Sequence, residues 1–262
     1  MTTTSLRPSH GDIMDRTRSG MLLAGGDYSF KGRGGTTFED RAEPDWTSEM
    51  FGARIPETAA RGKALFWEGA PAEHIFQIVE GVVRLFRIFP DGRRVVMGFA
   101  FPGDVLGIAV KDRYLFTAEA VTPVRMRRAS RERLSAQLAE QPQVAAIIFD
   151  RMRDELCAVQ DQMLLLLCQA AETRIVKFLV RVARKSPGAI EHGEEFELPM
   201  LRTDIADHLG LTMETVCRTM TKLRRDGLIA MRGPHKIQIR NARRLLEAAG
   251  REETDDADEA WG

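Results

Sequence analysis

Four residues with complementary recognition chemistry recur at helical spacing late in the chain. Glu214, Cys217, Arg218 and Thr221 stand at i, i+3, i+4 and i+7, so one helix face would present a carboxylate, a thiol, a guanidinium and a hydroxyl together. An arginine so placed can grip guanine O6 and N7 with two parallel hydrogen bonds. A glutamate beside it can accept from cytosine N4 or orient the arginine. Glu214, Cys217 and Arg218 are therefore the candidate base contacts. Thr203, Thr212, Thr221, Lys222, Arg224 and Arg225 carry the hydroxyls and cations that suit phosphate oxygens, which fix register without reading sequence. The plain alternative is a solvated helix face with an ordinary Glu214–Arg218 pair.

The flanking residues favour the first reading. Residues 202–209 predict a short helix with Ile205 and Leu209 inward and the small Ala206 where a crossing helix must approach closely. Gly210 supplies a tight turn, Leu211 plugs the corner, and Thr212 caps a second helix over 213–226 that Gly227 ends. Val216, Met220 and Leu223 give that helix its inner face. Two short strands, 228–232 and 236–239, then flank Gly233-Pro234-His235 as a wing would. This order of elements predicts a winged helix-turn-helix. The chain balances 38 Lys+Arg against 38 Asp+Glu, but residues 201–250 hold ten basic side chains against five acidic ones. The last twelve hold one Arg against six acids. A basic segment beside an acidic tail suits a nucleic-acid contact next to a solvated end.

A recognition helix needs a frame. Across 143–168, Ala145, Phe149, Met152, Leu156, Val159, Met163 and Leu166 alternate spacings of four and three, an a/d seam of more than three heptads. Phe149, Met152, Leu156, Val159, Met163 and Leu166 are the expected interface of a parallel homodimer, with Ile147 and Ile148 left to cover the preceding domain. The alternative is a long helix packed on its own chain. A second amphipathic helix over 172–185 is stopped by Ser186-Pro187-Gly188, and the domain boundary is placed near Cys168-Gln169. Upstream, turns at Gly69, Gly81, Gly92 and Gly103, 11 or 12 residues apart, separate β-rich stretches at 74–79, 82–89 and 94–101. Such even spacing indicates an antiparallel barrel or roll. The expected division is a flexible tail (1–45), a roll (46–140), a dimerisation helix (141–168), the DNA-binding domain (169–240), and a terminal helix with the acidic tail (241–262).

Roll, long helix and winged helix-turn-helix, in that order, resemble the CRP/FNR superfamily of bacterial transcription regulators across roughly residues 50–240. The stretch Asp204-Ile205-Ala206-Asp207-His208-Leu209-Gly210-Leu211-Thr212-Met213-Glu214-Thr215-Val216-Cys217-Arg218 looks most like the FixK group. The resemblance implies an α+β fold: a double-stranded β-helix roll of cyclic-nucleotide-binding type, a dimerisation helix and the winged domain. It also implies reading of TTG…CAA half-sites by Glu214 and Arg218 and contact with RNA polymerase. The expected role is mainly activation of genes for microaerobic metabolism or nitrogen fixation. Cys217 stands where the FNR pattern has Ser, and Met213 where CRP carries Arg.

The superfamily divides by effector. A cyclic-nucleotide site resembles Gly-Glu-Leu followed by Arg-Ser/Thr-Ala, whereas this chain has Gly103-Asp104-Val105-Leu106-Gly107 and Tyr114-Leu115-Phe116-Thr117-Ala118. The phosphate-binding arginine is missing, and Arg113 lies beside no small hydroxyl residue. An FNR-type cluster needs four cysteines, three near the N-terminus, and the chain has three in all: Cys157, Cys168 and Cys217. Haem or a cupin-like metal site would rest on His74, the roll's single histidine. No cofactor and no metal are expected, and no enzymatic activity. Cys217, beside Arg218 and near a helix N-terminus, favours thiolate character. Its oxidation would add bulk and charge against a polyanion. Cys217 is thus the candidate redox-sensing residue, the alternative being a small side chain that merely fits the groove. Without an 18-residue apolar run or a signal segment, no membrane contact and a cytoplasmic location are expected. The ligand-gated alternative uses the roll for a nucleotide or haem.

Overall fold

The computed structural model describes residues 46–52, 54–108 and 112–250. The expected N-terminal tail and the acidic run after residue 250 lie outside them.

The described residues begin with a short helix, α1 (Trp46–Phe51), followed by eight strands in two four-stranded sheets. The first sheet orders β1 (Glu57–Ala59), β8 (Val124–Ser130), β3 (His74–Glu80) and β6 (Val105–Leu106). The second orders β2 (Ala64–Phe66), β7 (Thr117–Ala120), β4 (Val83–Ile88) and β5 (Arg94–Ala100). Every pairing is antiparallel. The roll read from the glycine spacing is therefore present, and β3, β4 and β5 occupy the three apolar stretches. Gly81 is required where it sits: its φ is +87°, and a Cβ would fall 2.3 Å from the Pro123 carbonyl oxygen.

Aromatic rings fill the roll. Phe66, Phe76, Tyr114 and Phe116 are buried with Ile78, Leu85 and Leu106, and Phe66 stacks on Tyr114 at 3.9 Å between centroids. The Tyr114 hydroxyl donates to the His74 carbonyl oxygen at 2.8 Å, so this ring is held at its polar end as well.

Ser130 caps α2 (Arg131–Glu140), its hydroxyl accepting from the Arg133 amide. Pro142 then opens the 27-residue α3 (Pro142–Cys168), where a missing N–H costs nothing. Val144 and Ile148 anchor α3 to the roll beside Ile75, Val105 and α1, and Ile147 packs at the margin. Among the described residues much of the seam stays uncovered: Phe149 is 67%, Leu156 58% and Met163 60% exposed, while Leu166 is half-buried.

Gln169 and Ala170 separate α3 from α4 (Ala171–Arg184), whose Ile175, Phe178, Leu179 and Val182 are buried. Beyond it come β9 (Glu195–Glu197), α5 (Arg202–Leu209), α6 (Met213–Arg225), β10 (Ile229–Arg232), β11 (Lys236–Ile239) and α7 (Ala242–Gly250). The wing has three strands rather than two, because β9 adds Phe196 opposite Ile237. Helix α7 buries Leu245 in the core that α4, α5 and α6 share, so it packs as part of the DNA-binding unit. That core also takes in Val82, Phe86, Val96 and Phe99 from the roll.

Candidate nucleic-acid interface

Two helices joined by a short turn build the site. Helix α5 ends at Gly210 in a left-handed conformation (φ 61°, ψ 39°), which non-glycine residues adopt at a cost. Its amide bonds back to the Ala206 carbonyl. Thr212 then caps α6, its hydroxyl accepting from the Thr215 amide at 3.1 Å. Ile205, Ala206 and Leu209 of α5 face Val216, Met220 and Leu223 of α6 in one buried cluster. Packing thus fixes the rotation of α6 about its own axis and decides which face is left outside.

The outer face holds Glu214, Cys217, Arg218 and Thr221, all exposed. Arg218 Nη2 lies 2.5 Å from Glu214 Oε1, so the carboxylate steers the guanidinium while both stay in solvent. Each is more than two-thirds exposed, and such a pair adds little stability. Its value is orientation. The Thr221 hydroxyl donates to the Cys217 carbonyl at 2.9 Å, a local bond within the helix.

All six expected phosphate contacts are exposed, and Arg225 Nε lies 3.4 Å from Asp226 Oδ1. Thr212 spends its hydroxyl on the α6 cap, and Lys222 pairs with Glu172 at the start of α4. That carboxylate holds the Lys222 ammonium above the ordinary lysine range. Lys222 therefore tethers α6 to α4 and reaches a phosphate only by leaving Glu172.

Sequence reasoning missed Arg202. Its Nη2 donates to the Pro234 carbonyl in the wing tip at 3.4 Å, and its Nη1 is buried without a hydrogen-bond partner. Burial pushes this guanidinium below the ordinary arginine range, while the neighbouring Cys217 acts in the opposite sense. A charged first residue on a helix that must cross beside the recognition helix is the signal that could have found it.

The roll presents different chemistry from a cyclic-nucleotide cradle. Asp104, where a ribose ligand would stand, is fully buried; its Oδ2 accepts from the Phe101 amide at 2.7 Å, and its Oδ1 lies 3.7 Å from Lys185 Nζ. Phe116 is buried just before Thr117-Ala118, where the phosphate arginine would be. The Thr117 hydroxyl accepts from the Glu68 amide, and Arg113 donates to the Gly69 carbonyl. These side chains do not fit a phosphate inside the roll. Among the described residues, no group of three or more His, Cys, Asp or Glu could hold a metal ion, and no helix is long and apolar enough to cross a membrane.

A filled roll joined by a long helix to a winged helix-turn-helix defines a DNA-binding transcription regulator. Comparison with known proteins gives the family. Residues 56–141 match the cyclic nucleotide-binding domain, and residues 173–248 match the Crp-like helix-turn-helix domain. The chain is 36% identical over 208 residues to the nitrogen fixation regulation protein FixK of Azorhizobium caulinodans, covering 79% of this chain and 83% of that one. It is 40% identical over 187 residues to the transcriptional activatory protein AadR of Rhodopseudomonas palustris, covering 70% and 76%. The solved structure of FixK2 from Bradyrhizobium japonicum superposes with a TM-score of 0.70 at 33% identity, over 74% of this chain and 96% of that one. The chain belongs to the CRP/FNR family and groups with its FixK-like regulators.

Proposed function

We propose that the chain is a homodimeric, cytoplasmic activator that binds double-stranded DNA at a TTG-N8-CAA-like palindrome without a cofactor and contacts RNA polymerase there. The outward face of α6 carries this reading, with the Glu214–Arg218 pair poised to present a guanidinium to guanine. Cys217 shares that face and packs against the same bases. Thr203, Thr221, Arg224 and Arg225 supply phosphate contacts, joined by Thr212 at the α6 cap and by Lys222 once it releases Glu172. The exposed Phe149, Met152, Leu156, Val159 and Met163, with the half-buried Leu166, form the dimer seam. A two-fold axis along α3 sets the two recognition helices about one DNA turn apart. The aromatic filling of the roll supports action without a ligand.

The test is selection from a random duplex library by the ligand-free protein, followed by transcription with purified RNA polymerase from the recovered site. Recovery of TTG-N8-CAA and stimulated transcription support the reading; recovery of no motif contradicts it. The names of the relatives favour genes of nitrogen fixation as targets.

A second reading concerns control. Cys217 is exposed on the groove-facing side of α6, so a sulfinate or sulfonate there would set negative charge and bulk against the DNA. Peroxide would then weaken binding through this residue.

A further inference from the structure

Helix α5 does more than support α6. One of its faces carries Asp204, Asp207 and His208, and all three meet the roll. Asp204, 1% exposed, pairs with Arg84 of β4 and with Arg94 of β5 at 2.8 Å. Asp207 pairs with the same Arg94 at 2.7 Å. Glu119 of β7 holds the other guanidinium nitrogen of Arg84 at 2.6 Å, so the same side chain is tied to the sheet as well as to α5. The His208 ring sits between Phe99 and Phe178 at 5.6 and 5.7 Å, its Nδ1 3.2 Å from the Val96 carbonyl oxygen.

Among the described residues, packing runs from α3 through the roll to α6. Helix α3 is packed into the roll through Val144 and Ile148, the roll clasps α5, and α5 shares a core with α6. The link between α3 and α4, Gln169–Ala170, is itself tied: Arg174 donates to the Gln169 and Leu209 carbonyls at 2.9 and 3.2 Å.

We propose that Arg84 and Arg94 are positioning residues for operator recognition: by clasping Asp204 and Asp207 they set α6 relative to the dimer axis, as a bound effector would otherwise have to do. The inference rests on the reading that the chain binds a palindrome without a ligand. Two geometric consequences follow. Loosening the clasp leaves each half-site reader intact but lets the pair drift in spacing. Restoring opposite charges with exchanged partners restores the spacing.

The experiment uses the full-length protein and three duplexes: the palindrome, the palindrome with one base pair added to its spacer, and a single half-site. Arg84→Met/Arg94→Met is expected to bind the palindrome about tenfold or more weaker, with half-site affinity unchanged and the spacer preference reduced. Arg94→Asp combined with Asp207→Arg, in an Asp204→Asn background that removes the buried carboxylate otherwise facing the new acid, is expected to recover both palindrome affinity and spacer preference relative to Arg94→Asp in the same background. Retained palindrome affinity and spacer preference in the double Met variant overturn the proposal, as does a parallel loss of half-site binding. Failure of the exchanged pair to recover also overturns it, and covers the case in which the double Met variant does not fold. A wild-type protein that binds no duplex until a nucleotide is added overturns the functional reading itself, and this inference with it.

Discussion

The imidazole of His208 lies 3.2 Å from the Val96 carbonyl oxygen and ties the first helix of the DNA-binding unit to a roll strand 112 residues earlier. Its other nitrogen lies 2.7 Å from Arg181 Nη2. A guanidinium can only donate, so Nε2 accepts, Nδ1 carries the proton and donates to Val96, and the ring is neutral. Burial, reinforced by the Arg181 charge, lowers the His208 pKa to about 3.

This shift sets the sign of a pH dependence. The unfolded chain takes up a proton on this histidine near 6.5, whereas the folded chain resists it down to about 3. The contribution of His208 is therefore complete above the upper value and lost progressively as pH falls toward the lower one. Its slope approaches about 1.4 kcal/mol per pH unit. Urea unfolding at a series of pH values should show this loss, and His208→Gln should flatten it. An unchanged slope in the variant would place the titration elsewhere.

Gly210 makes a separable backbone prediction. A Cβ there meets nothing closer than 3.8 Å, yet φ is +61°. Gly210→Ala should then cost about 1–2 kcal/mol from backbone strain alone, and Gly210→Asn, which tolerates this conformation, should recover much of it. Equal losses for both, measured by chemical denaturation, would point to side-chain crowding instead.

The seam on α3 is apolar and exposed in the single chain, so a charge placed there should leave the protomer folded. Leu156→Glu is expected to give a monomer by sedimentation with near-native circular dichroism. Its affinity for the palindrome should fall to that for a single half-site. A dimer that survives the substitution would move the interface away from this face.

Oxidative control makes a prediction at one atom. Peroxide treatment should reduce palindrome binding by wild-type protein, and Cys217→Ser should bind equally before and after. Loss of binding in the treated serine variant would assign the effect to another residue.

The sequence disclosed some parts of this molecule more readily than others. Strands β3, β4 and β5 were legible because each is six or seven residues long and bounded by glycine turns. Strands β1, β2 and β6 are two or three residues long, too short for any periodicity to show. Strand β9 was missed because Phe196 is its one buried residue. Within the site, the outward face of α6 followed from local spacing. The clasp on α5 did not, because Arg84 and Asp204 lie 120 residues apart. Two acids and a histidine at i, i+3 and i+4 on a helix of a basic domain were the visible trace of it, and they read equally well as a solvated face.

The decisive measurement is fluorescence anisotropy of the reduced, ligand-free protein on a TTG-N8-CAA duplex, beside Arg218→Ala and a duplex with altered half-sites. Tight binding by wild type is predicted. Removing the arginine should cost about 1–3 kcal/mol and relax discrimination at the guanine. Binding that appears only after a nucleotide or other small molecule is added, or that ignores the half-site sequence, would contradict an effector-independent regulator reading DNA through Glu214 and Arg218.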